Sequence, residues 1–262
     1  MRKITLLLLI ITVLCLETRA QQKQSRFFVE LAGSRSFPVG AFASKDITNP
    51  YAGHADAGVG VSVSGGYMFT RKFGAMLLLG GTRNKQNDGA MEQQFKAGWP
   101  PTYTVYSDIA TKSWYTGRVM LGGVFETPLS KAERFYFRSG LLAGLCKSSV
   151  PAYREDYIMM SNTNTVGAGH IENEKVKLPW TFCYQVNAGL KYKLSNLLAI
   201  FADASYFGAA PQRPDAFYNY SIAGNPAIYS GLSSVYVPQN QAPGKKYHLD
   251  AINATLGVQV KL

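Results

Sequence analysis

The chain has 262 residues, 47% hydrophobic and 16% charged, with a formal net charge of +11. That length suits a single all-β domain, and no helical repeat, low-complexity tract or linker interrupts it. Lys and Arg are scattered rather than blocked with aromatics, which excludes a nucleic-acid footprint, and three cysteines exclude a disulfide-stapled scaffold.

The N-terminus reads MRKITLLLLIITVLCLETRA. Arg2 and Lys3 precede an apolar run from Ile4 to Leu16, and Thr18 and Ala20 put small residues at −3 and −1 of a cleavage site. The run is too short for a membrane-spanning helix. Residues 1–20 are therefore expected to be a cleaved secretory signal and 21–262 the mature domain. Leu14 stands where a lipobox needs a small residue before Cys15, which disfavours a lipid anchor. Loss of Arg2, Lys3, Arg19 and Glu17 lowers the net charge to +9. A basic surface outside the cell meets lipid headgroups or anionic lipopolysaccharide.

Eight runs then alternate with a period of two. The first, about 26–34, puts Phe27, Val29 and Leu31 on one face and Phe28, Glu30 and Ala32 on the other. The second, about 55–69, opposes Val59, Val61, Val63, Tyr67 and Phe69 to Gly58, Gly60, Ser62, Ser64 and Gly66. The third, 73–83, carries Phe73, Leu77 and Leu79 against Met76 and Leu78. The fourth, 114–126, sets Tyr115, Val119, Leu121 and Phe125 against Thr116, Arg118 and Met120. The fifth, 135–146, sets Phe135, Phe137 and Leu141 against Tyr136, Arg138 and Gly140. The sixth, about 180–193, sets Trp180, Phe182, Tyr184, Val186 and Tyr192 against Cys183, Gln185, Asn187 and Lys191. The seventh, 198–207, sets Ile200 and Tyr206 against Phe201, Asp203 and Ser205. The eighth ends the chain, with Ile252, Leu256, Val258, Val260 and Leu262 against Asn253, Thr255, Gly257 and Gln259.

Each run has about the 9–11 residues that a tilted lipid-facing strand needs. A sheet in lipid must close, because every backbone polar group needs a partner there. Short turns at 70–72, 127–134 and 194–197 alternate with long connections at 36–54, 84–113, 147–179 and 208–246. This asymmetry is that of periplasmic turns and extracellular loops. Aromatics at the turn ends (Phe27, Tyr67, Phe69, Phe73, Phe125, Phe135, Phe137, Tyr192) and at the loop ends (Tyr115, Trp180, Phe182, Tyr184, Tyr206) all share the outward parity. Two such belts mark membrane interfaces. A soluble lipocalin-like barrel explains the alternation but not the belts. The expected fold is an all-β, eight-stranded antiparallel up-and-down transmembrane β-barrel.

Three segments carry a family likeness: Ser36-Phe37-Pro38-Val39-Gly40, then Gly66-Tyr67-Met68-Phe69 turning into Lys72-Phe73-Gly74, and the C-terminal Thr255-Leu256-Gly257-Val258-Gln259-Val260-Lys261-Leu262. In these the chain resembles the small OmpA/OmpX-type outer-membrane barrels of Gram-negative bacteria, and most of all the porin-like barrels of Bacteroidetes. The resemblance implies an outer-membrane address. It also implies that Thr255, Gly257, Val260 and Leu262 form the signal read by the barrel-assembly machinery, with Leu262 in place of the commoner aromatic. It does not specify an activity.

An eight-stranded barrel has an interior that side chains just fill. Glu30, Arg118, Arg138 and Asp203 share the inward face and are expected to pair as a plug, with a gated ion path as the alternative. Cys146 and Cys183 share that face on neighbouring strands in an oxidising compartment, so a disulfide is expected. An outer-leaflet lipid-modifying enzyme is a second alternative. The pairs His54/Asp56 and His248/Asp250 suit it, but Met159 stands two before Ser161-Asn162 where a deacylase carries histidine. No cofactor or metal signature stands out. Gly98-Trp99-Pro100-Pro101 and the Tyr218, Asn219, Tyr220 and Tyr229 region suit either ordinary long-loop packing, the favoured reading, or an aromatic contact surface for an extracellular partner. The expected role is structural or interaction-based, carried by the long loops and without catalysis.

Overall fold

The computed structural model describes residues 26–46, 49, 52–97, 99, 101–161, 164–173, 175–211, 220–224 and 246–262. The segment 1–20 lies outside them, as do Gly98, Pro100, Asn162, Tyr218, Asn219 and Tyr229.

Eight strands close a barrel: β1 (Phe27–Pro38), β2 (Ala55–Met68), β3 (Phe73–Gln86), β5 (Trp114–Pro128), β6 (Phe135–Val150), β10 (Thr181–Lys193), β11 (Leu198–Ala209) and β13 (Ala251–Lys261). Every neighbouring pair is antiparallel, and β13 pairs back onto β1 from Phe28↔Lys261 to Pro38↔Ala251. Closure leaves no edge, so each backbone group inside lipid has a strand partner. The strands run past the alternating apolar runs at the long-loop end, where β1 reaches Pro38, β3 Gln86 and β6 Val150. Apolar alternation stops at the lipid boundary, while ladder hydrogen bonding continues beyond it.

The burial is inverted relative to a soluble protein. Val61, Leu121 and Leu256 are 69%, 62% and 70% exposed, while Lys191 is 1% exposed. A lipocalin-like barrel would reverse this, so the large exposed apolar band identifies lipid as the solvent. All the belt aromatics lie on the outer surface. At the short-turn end, neighbouring strands bring them into contact. Phe27 meets Tyr67 at 4.7 Å between ring centroids, Phe73 meets Phe125 at 5.0 Å and Phe135 meets Tyr192 at 4.7 Å. At the other end Tyr184 and Tyr206 lie 6.0 Å apart. The termini of the barrel, Phe27 and Leu262, share the short-turn end, as an even strand number requires.

The long-loop end is folded. After β1 the short helix α1 (Gly40–Ala43) drops Phe42 into the mouth against Trp114, with Tyr247 on its other side. Trp114 fixes the arrangement by donating its indole N–H to the Gly53 carbonyl at 3.2 Å. The connections 84–113 and 147–179 fold together. They build α2 (Asp88–Ala97) and, with a strand from the 208–246 connection, a second antiparallel sheet. Its order is β12 (Tyr220–Gly224), β8 (Asn164–Asn173), β7 (Tyr153–Ser161) and β4 (Thr104–Thr111). The two-residue β9 (Val176–Lys177) adds to β6.

Local chemistry explains α2. Asn87 caps its first turn by accepting the Ala90 N–H at 2.7 Å. Asp88 and Lys96 complement the helix dipole at opposite ends. Met91 and Phe95, four apart, face the sheet and pack with Trp99, Val105, Ile109, Tyr157 and Met159 into a core separate from the barrel's. Trp99 is 9% exposed in that core, so its side chain packs there.

Candidate functional site

The barrel interior has two polar levels separated by an apolar one. The lower level centres on Arg138 of β6, four strands around the ring from Glu30 of β1, so the side chain crosses the lumen. Arg138 Nη1 lies 3.1 Å from Glu30 Oε1, and Nη2 donates to Glu30 Oε2 at 3.2 Å. Its Nε lies 3.5 Å from Asp203 Oδ2. Ser64 donates to Glu30 at 3.1 Å, and Gln259 Nε2 donates to it at 2.9 Å. Gln259 Oε1 in turn accepts from Lys191 at 3.2 Å, and Lys191 pairs with Glu126. One network thus ties β1, β2, β5, β6, β10, β11 and β13 together.

Phe201 orders this network from below. Its ring lies 4.1 Å from the Arg138 guanidinium carbon, a cation–π distance. The tip of the ring fills the space over Gly257, where a Cβ would stand 2.3 Å from Phe201 Cζ. Gly257 therefore has a packing role of its own, beside the assembly-signal role that the family likeness implies.

The structure brings Glu30, Arg138 and Asp203 together and leaves Arg118 out, correcting the four-member network expected from parity. Arg118 sits on the mouth side of an apolar layer of Met76, Leu78, Met120 and Leu142, with its guanidinium carbon 5.1 Å from the Phe207 ring centroid. Equal parity does not mean equal height, because strand stagger separates residues on one face. Glu126, Lys191, Gln259 and Ser64 belong to the network although no motif marked them. Lys191 shares its face with Gln185 and Asn187, and that parity was the available signal.

Both inward cysteines are fully buried thiols outside any disulfide, which corrects the expected bond. Cys146 stands opposite Thr181 and Cys183 opposite Gly144, so the thiols are diagonal and hydrogen-bonded. Diagonal partners lie about 7–8 Å apart in an antiparallel pair, beyond the usual disulfide span.

Among the described residues the lumen is filled by side chains. Phe42, Trp114, Tyr247 and Leu249 cover the mouth, and beneath them a cavity of about 10 Å³ remains beside Arg118. That is about the space of one water.

The histidine pairs expected from sequence are differently engaged. Asp56 is held by Lys45 at 3.0 Å and by Asn87 at 2.8 Å, while His54 is buried at φ 49°. His248 and Asp250 lie in the approach to β13, where the Asp250 backbone carbonyl accepts the Val39 N–H at 2.9 Å. A histidine–aspartate contact that sequence spacing missed occurs in the outer sheet. His170 Nδ1 lies 2.7 Å from Asp156, directly across from it on β8. The His170 contact, then Arg154, holds the Asp156 carboxyl below the usual range. Beneath that sheet Glu155 is 2% exposed, and burial followed by the nearby Glu92 charge pushes its pKa up to about 8. Ser161 closes β7. Among the described residues, no three His, Cys, Asp or Glu side chains converge as a metal site.

These features define a membrane-spanning β-barrel of the small outer-membrane type, with a plugged lumen and a folded head at its long-loop end. No protein-family profile matches the chain, and no curated protein sequence matches it. Solved structures are similar in architecture. Neisserial surface protein A is 10% identical over 91% of this chain and 98% of its own, with a TM-score of 0.41. Ail, the attachment invasion locus protein of Yersinia pestis, is 13% identical over 90% and 96%, at 0.34. The N-terminal β-barrel domain of Pseudomonas aeruginosa OprF is 13% identical over 89% and 96%, at 0.34. The barrel assignment itself rests on this chain's own register and inverted burial.

Proposed function

We propose that the protein is an outer-membrane barrel whose role is surface interaction, performed by the folded head rather than by passage through the lumen. The observation that carries this reading is the head's separate hydrophobic core. Closing two hairpins needs only a few residues, whereas loops beyond about 12–15 residues are usually functional or disordered. Here the 84–113 and 147–179 connections are ordered into a helix on a sheet around Phe95, Trp99, Tyr157 and Met159. The opposite face of that sheet presents Tyr106 and Ile158, cross-strand neighbours that are 58% and 47% exposed, beside the Arg154–Asp156–His170 cluster. A rigid scaffold displaying mixed aromatic and charged side chains suits recognition.

In this reading residues 1–20 direct export, the C-terminal strand engages the assembly machinery, and the basic exterior meets lipopolysaccharide. The head faces outward to an extracellular partner. The test replaces 88–111 and 153–173 with short turns. The headless barrel should still insert and run as a compact heat-modifiable species, while cells displaying it lose the surface adhesion conferred by the full chain. If adhesion persists without the head, the reading fails.

A gated narrow channel is the competing reading, and the Arg138 network is the observation that favours it. A single cation reaching across the lumen to two carboxylates, on β1 and β11, is an arrangement that can exchange partners. Discrete conductance in planar bilayers that is altered by Arg138→Ala would favour the channel.

A further inference from the structure

We infer that the upper lumen holds a binding site for one halide-sized anion, built around Arg118. Arg118 is 7% exposed, and its Nε is buried without a hydrogen-bond partner. Among the described residues it makes no ion pair. The lumen carboxylates lie in the lower network, where Glu30 and Asp203 face Arg138 and Glu126 faces Lys191. Cys146 stands directly across from Arg118 on β6, with Cys183 diagonal to that cysteine on β10. The Phe207 ring covers one face of the guanidinium but supplies no counter-charge. A buried cation left in that state is strongly unfavourable.

The cavity beside it has the chemistry of an anion cage. It is lined by Ser36, Thr82, Asn84, Thr116 and Asn253 with Arg118, and no carboxylate lines it. The Ser36 and Thr82 hydroxyls line it as well. Thr116 is engaged with Ser148 at 3.0 Å, and Asn84 donates to the Asp56 carbonyl at 3.1 Å. The guanidinium supplies the charged donors and the Ser36 and Thr82 hydroxyls neutral ones, while Asn253 Oδ1, buried without a partner, is an acceptor on the cavity wall. A volume of about 10 Å³, about the space of one water, excludes sulfate or phosphate, and a halide fits as the lining side chains move outward. Phe42 lines the site on the head side, with Trp114 packed against it.

The site deepens neither the surface-interaction reading nor the channel reading and is tested apart from both. The purified barrel is unfolded thermally in detergent at constant ionic strength while chloride replaces gluconate. The midpoint should rise with chloride and saturate, and sulfate should not substitute. Arg118→Met should abolish the dependence. Thr82→Val with Ser36→Ala should weaken it roughly tenfold, the scale of one hydrogen bond to a charged group. Bromide-soaked crystals of the unaltered protein give a second measurement that does not depend on the variants folding. An anomalous peak within hydrogen-bond distance of the Arg118 guanidinium supports the site. The absence of that peak, a carboxylate side chain in its place, or an identical chloride dependence in Arg118→Met overturns it.

Discussion

Glu30 and Arg138, 108 positions apart in the chain, meet across the centre of the barrel through two contacts of 3.1 and 3.2 Å. Each belongs to a strand on the opposite wall, so the pair forms only when the sheet has closed in one register. A one-residue slip would turn either side chain to lipid.

Arg138→Ala should therefore destabilise the barrel by about 3–5 kcal/mol, because it leaves Glu30 and Asp203 buried without their cation. Adding Glu30→Gln and Asp203→Asn should recover part of the loss. Equilibrium urea unfolding in lipid vesicles measures both. An unchanged midpoint in Arg138→Ala would mean the charges are solvated.

Gly257→Ala should act on the same network from a distance. The new methyl occupies space filled by Phe201, so the ring must shift from under Arg138. The predicted result is a lower midpoint whose loss is smaller in a Phe201→Leu background. Equal losses in both backgrounds would place the effect in assembly rather than packing.

The two lumen thiols should titrate as free. The mature chain, unfolded without reductant, should give two reactive thiols, since Cys146 and Cys183 are diagonal rather than opposed. A count of zero would show that the strands can shift enough to bond them.

Glu155 gives the head a pH dependence. Its folded pKa of about 8 lies above the ordinary carboxylate value, so the folded head binds more protons than the unfolded chain between those limits. This group's contribution is fully present at low pH. It declines from about pH 4.5 and is lost by about pH 8. Glu155→Gln should flatten the trend and stabilise the head at pH 8 and above. Hydrogen exchange of β4, β7 and α2 across that range reads it. A head whose protection rises with pH would contradict the assignment.

The barrel was legible in the sequence because lipid enforces period-two alternation along every spanning strand. Val59, Val61 and Val63 against Gly58, Gly60 and Ser62 show it without any partner being known. The head was not legible. Val105, Ile109, Tyr157 and Met159 bury one face of short strands whose partners lie in another connection, and neither segment alone has a long amphipathic run. The lumen network was half legible. Parity put Glu30, Arg138 and Asp203 inside, but only the register separated Arg118 from them and added Lys191 and Glu126. The cysteines failed for the same reason, since an offset of two residues is invisible before pairing is known.

The central claim, that this barrel turns its apolar face to lipid and its polar face inward, is tested most directly by paired labels on adjacent residues. In a cysteine-free background, single cysteines at Val61, Leu121 and Leu256 would carry a fluorophore, and so would their neighbours Ser62, Met120 and Thr255. The predicted result in vesicles is strong quenching by a lipid-borne quencher at the first three positions and little at the second three. Equal quenching within each pair, or the reverse order, would contradict the barrel described here.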